Sequence, residues 1–163
     1  MAVERLTKVE LKEIIDTASK VHDVDDKNLI FSIIMTESGA NPLAIRYEYA
    51  WKYVYNEDLF SKRASITSAT ESVLQSCSLG LMQVMGTVAR ELGHLDNLLL
   101  LTEPSVGVYY GVKKLKQLLD KHKSLDDVIS AYNMGTPRKD RDGSYINQKY
   151  VNKVKEFYNR GHF

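Results

Sequence analysis

Leu29-Ile30-Phe31-Ser32-Ile33-Ile34-Met35-Thr36-Glu37-Ser38-Gly39 is the stretch on which the reading of this chain turns. An almost wholly apolar run ends in a carboxylate, and a glycine follows two residues later. The pattern predicts a buried helix from about Lys27 to Glu37, with Glu37 in its last turn at the edge of a cleft. A helix C-terminus carries partial negative charge, and apolar neighbours disfavour an ionised acid. Both effects raise a carboxyl pKa, which general acid catalysis near neutral pH requires. The plainer alternative is a glutamate that ends a core helix in solvent. This stretch alone does not separate the two.

Working outward, Leu11, Ile14, Ile15, Ala18 and Val21 fall at helical spacing upstream, with charge on the other face. Asp23-Val24-Asp25-Asp26 supplies a turn and helix N-caps. Downstream, Gly39 and Asn41-Pro42 stop the central helix, because the residue before proline is pushed out of helical geometry. Further helices are predicted from a short Ile66–Leu74 piece, from the segment running to Gly93, from Pro104 to about Lys121, from Leu125 to Asn133, and from Tyr145 to Tyr158. Pro104 suits a first helical turn, where its missing N–H costs nothing. The fold class expected is mainly α, in one domain spanning residues 1–163.

Arg46–Phe60 is the compositional oddity. Four of the ten tyrosines lie there. Tyr47, Tyr49, Trp51, Tyr53 and Tyr55 alternate strictly, which fits either strand periodicity or the aromatic lining of an extended loop.

Composition narrows the function classes. The chain has 163 residues, is 44% hydrophobic and 26% charged, and carries a net charge of +1. No bulk cationic field draws it to nucleic acid, and no apolar run is long enough for stable membrane insertion. Cys77 is the only cysteine, so no internal disulfide forms. Met1–Lys12 lacks the apolar core of a signal peptide. Synthesis in the cytoplasm and a monomeric state are expected.

Glu37-Ser38-Gly39, Gly80-Leu81-Met82-Gln83 and Ala131-Tyr132-Asn133 follow one another at helix ends, with Glu103-Pro104, Gly107, Tyr110-Gly111 and Leu115 on a helix between. This ordered set resembles the catalytic domain of the soluble lytic transglycosylases and, more distantly, goose-type lysozyme. Tyr150-Val151 resembles that family's closing Tyr-Val. The resemblance covers roughly Asp25 to Phe157.

It implies a lysozyme-like α domain that cleaves the β-1,4 bond between N-acetylmuramic acid and N-acetylglucosamine in peptidoglycan. Glu37 falls on the single catalytic acid and base, and the implied product is a 1,6-anhydro-muramoyl end. Ser38 matches a serine beside the acid, with a helix cap as its plainer reading. Met82 and Gln83 match a cleft-lining loop, although Met82 also reads as core. Tyr132 matches a tyrosine whose hydroxyl reaches the carboxylate. Asn133 matches a sugar-contacting or helix-ending amide, and Tyr150 a helix-face tyrosine. The partner implied is the glycan strand, and no cofactor is called for. Size and address suggest a phage endolysin that reaches the wall through a membrane lesion at lysis, with a domain of a larger exported or virion protein as the alternative.

The chain departs from the family pattern between Gly39 and Leu79, where the loop is about twice the expected length. This aromatic-rich insertion, about residues 46–76, is expected to widen the glycan groove or to fold as a small β-hairpin or helical lobe around its own aromatics. It also brings Glu48, Glu57 and Asp58. A Glu48 facing the bound sugar would activate water and make the enzyme a hydrolytic muramidase, whereas pairing with Arg46 explains Glu48 without catalysis. A silent glycan-binding module is the remaining alternative.

His22, His94, His122 and His162 show no metal-ligand spacing and are expected at the surface, so no metal is expected. Cys77 reads as a small buried residue. Lys113-Lys114-Lys116 and Arg138-Lys139-Asp140-Arg141 read as solvated faces.

Overall fold

The apolar stretch forms the helix around which the molecule is packed. In the computed structural model, which describes residues 6–161, α1 (Lys8–His22) is followed by α2 (Lys27–Glu37). Leu29, Ile30, Ile33 and Ile34 of α2 are wholly buried. The Asp26 carboxylate caps α2 by accepting from the Leu29 N–H, which satisfies one of the first-turn donors a helix leaves unpaired. Helices α3 (Glu57–Ala64), α4 (Ser68–Gln75) and α5 (Gly86–Glu91) come next. A 3₁₀ turn (Leu98–Thr102) then leads into α6 (Pro104–Lys121), α7 (Leu125–Met134) and α8 (Gln148–Arg160). The chain is mainly α, as its periodicity predicted.

Packing follows the apolar stripes. α2 lies along α8, α1 on α6, and α7 bridges α6 and α8. Polar clamps set the α2–α8 register at both ends. The Asn28 side chain donates to the Tyr158 carbonyl at 2.6 Å, and the Tyr158 hydroxyl to Asp26 at 2.8 Å. At the far end Lys153 reaches the Thr36 carbonyl at 3.2 Å. Burial of Val151 and Val154 holds α8 down on the core side.

The sheet has three short antiparallel strands in the order β1 (Ile45–Tyr47), β2 (Cys77–Leu79), β3 (Val84–Met85). Ile45 is opposite Leu79, and Ser78 is opposite Met85. The aromatic segment therefore forms no hairpin of its own. Its first residues pair with β2, across the insertion, and the rest runs as an irregular chain into α3 and α4. The alternating aromatics are not a satellite core either: Tyr47, Tyr49, Trp51, Tyr53 and Tyr55 are all exposed, and only Phe60 is buried. Helices α3 and α4 pack on each other, so the insertion is the helical lobe among the alternatives, although its alternating aromatics stay outside. Helix α3 has no individual counterpart in the sequence reading, and α4 starts and ends slightly later than the Ile66–Leu74 expectation.

A buried polar knot anchors the insertion. Arg90 of α5 grips Glu71 of α4 with two parallel hydrogen bonds, Nε–Oε1 at 2.8 Å and Nη2–Oε2 at 2.9 Å, both side chains fully shielded from solvent. Its Nη1 donates to the carbonyls of His94 and Asp96, and the guanidinium lies over the Phe60 ring. Gln75 continues the knot, donating to Glu71 and exchanging hydrogen bonds with the backbone of Tyr55. Every face of the two charges is thus met, as burial of ions demands.

The histidines depart from the surface expectation. His94 is buried against the edge of Tyr110, and His22 is half-buried against Tyr109. The two adjacent tyrosines of α6 supply aromatic faces that draw both imidazoles inward. His122 is half-buried, and His162 lies outside the described residues. Cys77 is buried and free, as expected.

Candidate active site

Glu37 ends α2 and opens into a cleft of about 390 Å³. Across the cleft stand Arg46 and Glu48 from the β1 side, Trp51 from the insertion, and Lys114, Tyr132 and Asn133 from α6 and α7. Glu37 is half-buried, and its Oε1 accepts a hydrogen bond from the Tyr150 hydroxyl at 2.6 Å. Burial raises the Glu37 pKa above its ordinary value, while the Tyr150 hydrogen bond and the Lys114, Arg46 and Lys153 cations oppose the rise. The net effect is a carboxyl that keeps its proton to a higher pH than a solvated glutamate, yet has support for its anion.

The tyrosine that touches Glu37 is therefore Tyr150, not Tyr132. Tyr132 is buried, and its hydroxyl donates to the Met82 carbonyl at 3.0 Å. The swap follows from packing. α8 lies along α2 and points Tyr150 at the last turn of α2, whereas α7 meets the loop beneath the acid. Burial and the nearby carboxylates or phenols hold both hydroxyl groups well above the usual tyrosine range, so both stay protonated donors.

The Gly80-Leu81-Met82-Gln83 turn is the floor under Glu37. Gly80 adopts φ +75°, and a Cβ there would fall 2.0 Å from the Leu101 carbonyl oxygen; only glycine fits such a position. Ser38 ties the turn to α2, its hydroxyl sharing the carbonyls of Leu81 at 2.8 Å and Ile34 at 3.2 Å. It positions the floor and makes no hydrogen bond to Glu37. Met82 is wholly buried, packed where Gly111 leaves room on α6. Its side chain supports the floor from beneath and has no surface for a sugar; Met85 is the methionine that lines the cleft. Gln83 has φ +47°, a conformation uncommon for a side-chain-bearing residue. Its Nε2 donates to the carbonyls of Ala44 at 2.9 Å and Gly80 at 3.0 Å. Both amide donors are thereby used, so contact with a sugar falls to Oε1. Asn133 is exposed at the rim, its Oδ1 accepting from Asn147 at 3.1 Å.

Glu48 shares the cleft with Glu37 but is already engaged. Arg46 Nε lies 2.5 Å from its Oε1, and the Ser78 hydroxyl donates to the same oxygen at 3.2 Å. Glu57 and Asp58 lie in α3, where Glu57 accepts from the Ser72 hydroxyl and Asp58 from Ser68. They do not line the cleft.

Lys114 is the site residue the sequence reading missed. It belongs to a lysine cluster that reads as solvated, yet its Nζ donates to the Tyr132 carbonyl at 2.6 Å and lies 4.1 Å from the centre of the Tyr132 ring. Desolvation of the ammonium pushes its pKa down to about 8, against the attraction of Glu37. The signal was present: Gly107, Gly111, Lys114 and Leu118 recur at helical spacing, which aligns the lysine with buried positions of α6.

A larger cavity of about 520 Å³ lies between α1 and α6, lined by Ile14, Ala18, Val21, Leu100, Val106 and Tyr109 among others. Its walls are mostly apolar, and none of the Glu37 cluster reaches it. The smaller cleft is the one that Glu37, Gln83, Tyr132 and Asn133 line together. Among the described residues no group of histidine, cysteine or carboxylate side chains could hold a metal ion, and no helix is long and apolar enough to cross a membrane.

A family model described as the transglycosylase SLT domain matches residues 14–155. The chain belongs to the transglycosylase SLT domain family. The SLT domain runs from within α1 to within α8 and includes the whole insertion. Membership supports peptidoglycan glycan strands as the ligand and cleavage of the lytic-transglycosylase type. Comparison with curated proteins and with solved structures returned no match.

Proposed function

We propose that this SLT domain cleaves the β-1,4 bond between N-acetylmuramic acid and N-acetylglucosamine by intramolecular transglycosylation, with Glu37 as both acid and base. The observation that carries the reading is a carboxyl whose proton affinity is raised by burial while a Tyr150 hydroxyl at 2.6 Å is ready to support its anion. In the first step Glu37 gives its proton to the glycosidic oxygen, the C1–O bond breaks, and its electron pair leaves with that oxygen. The substrate's acetamido group covers the electron-poor C1, so the protein need not supply a second carboxylate. In the second step the Glu37 carboxylate takes the proton of the muramoyl C6 hydroxyl, and O6 bonds to C1. The 1,6-anhydro sugar forms, the acid is regenerated and no water is consumed.

The pairing of Glu48 supports this reading over hydrolysis, since the Arg46 guanidinium and the Ser78 hydroxyl, both bonded to Oε1, favour a carboxylate stabilised as an ion-pair partner over one that takes a proton from water. Hydrolysis keeps one observation in its favour, that Glu48 lines the same cleft. Digestion of purified sacculi followed by mass spectrometry decides: anhydro-muramoyl ends support transglycosylation, and exclusively reducible ends overturn it. Glu37→Gln keeps the shape and removes the proton, and a fall of at least about 1000-fold in cleavage rate is expected from loss of acid catalysis. Full activity in that variant would remove Glu37 from its role.

A further inference from the structure

We propose that Lys114 is a positioning residue for Glu37: held in the cleft wall by Tyr132, its ammonium supports the carboxylate that remains once the acid has given up its proton. The inference rests on the reading of Glu37 above and concerns how one carboxyl serves as acid and then as base. Lys114 stands at the meeting of α6 and α7. Its Nζ is fixed from one side by the Tyr132 carbonyl at 2.6 Å, and the Tyr132 ring lies 4.1 Å away. Tyr132 is itself fixed, buried and bonded to the Met82 carbonyl at 3.0 Å. A long, flexible side chain is thus reduced to one placement, on the same cleft as Glu37.

The other groups around Glu37 leave this role open. Tyr150 of α8 donates to Oε1 but carries no charge. Arg46 of β1 lines the cleft but is paired with Glu48, and Lys153 of α8, bound to the Thr36 carbonyl, does not line the cleft. Of the three cations that act on Glu37, Lys114 acts most strongly. The coupling is mutual, since Glu37 favours the charged form of Lys114.

A purely structural role is the competing account. The Tyr132 carbonyl lies in the last turn of α7, where backbone acceptors lack helical partners and a lysine caps well. Two variants separate the accounts. Lys114→Arg keeps charge and donor. Lys114→Gln keeps a donor and loses the charge. In each, the Glu37 carboxyl is titrated by ¹³C NMR, and sacculus cleavage is measured across pH with the melting temperature.

The expected result has Glu37 titrating at higher pH in Lys114→Gln, with kcat down about 10-fold and KM unchanged, while Lys114→Arg restores the titration and most of the rate. An unmoved Glu37 midpoint overturns the proposal, as does a moved midpoint with unchanged kcat. A rate loss that only follows the melting temperature assigns Lys114 to the α7 cap and overturns it too. The NMR titration needs no turnover. If the unmodified protein cleaves nothing while the midpoint still moves, the functional reading fails and the Lys114–Glu37 coupling stands.

Discussion

The Tyr150 hydroxyl donates to Glu37 Oε1 across 2.6 Å, joining residues 113 positions apart in sequence. This one contact turns a helix-ending glutamate into a group with two usable states. Burial favours the neutral acid, and the hydroxyl favours the anion. Tyr150→Phe removes only the oxygen. A hydrogen bond to a charged group contributes about 1.5–3 kcal/mol, so kcat falls about 10- to 100-fold. The alkaline limb of the pH–rate profile moves up, because Glu37 loses a group that lowers its pKa. Steady-state kinetics across pH checks both.

The same burial makes Glu37 a stability liability when ionised. Its folded-state pKa lies above the ordinary 4.5, so the folded chain binds this proton more tightly than the unfolded chain does. Stability then falls as pH rises from about 4.5 through the folded pKa. Glu37→Gln keeps an acceptor for Tyr150 and abolishes the titration. The variant is expected to melt above the wild type at pH 7, with the gap closing at pH 4. Melts at the two pH values test this, and a wild type that is the more stable at pH 7 contradicts it.

Gly111 and Met82 share one space. A Cβ on residue 111 would meet Met82 Sδ at 2.4 Å and Cβ at 2.6 Å. Gly111→Ala overpacks the floor at a cost of about 1–3 kcal/mol. Because the Met82 carbonyl anchors Tyr132, activity suffers with stability. The double variant Gly111→Ala with Met82→Ala should recover part of the loss, since the two changes act on one site. Denaturant unfolding of the three variants measures the coupling.

Arg90 and Glu71 hold the insertion through a fully shielded ion pair. Arg90→Met leaves a buried carboxylate without its partner, at a cost of about 3–5 kcal/mol. Replacing both, with Glu71→Leu added, should return much of it. Limited proteolysis is expected to cut first within residues 48–76 in the single variant.

Trp51 is the insertion aromatic that lines the cleft, and its Nε1 donates to the Tyr53 carbonyl at 2.6 Å. An indole ring on the cleft wall offers a large apolar face to a sugar ring. Trp51→Ala is therefore expected to raise KM for glycan chains about 3- to 10-fold, with kcat nearly unchanged. Equal losses in kcat and kcat/KM would place the ring outside ground-state binding.

The sequence by itself determined the helical class, the bounds of α2 and the acid at its end. These are local properties: apolar spacing, an aspartate cap, and a glycine with a proline just beyond. Ordered motifs at helix ends also announced the cleft. Tertiary structure alone decided which tyrosine hydrogen-bonds Glu37, because that depends on α8 lying along α2 and not on any spacing within α8. It alone drew Lys114 out of a solvated cluster, since the carbonyl that holds it comes from another helix. It chose the helical lobe over the hairpin for the insertion, because the partner of β1 lies beyond the insertion. And it buried Arg90 with Glu71, two charges that local pattern assigns to the surface and that only their mutual geometry lets the core accept.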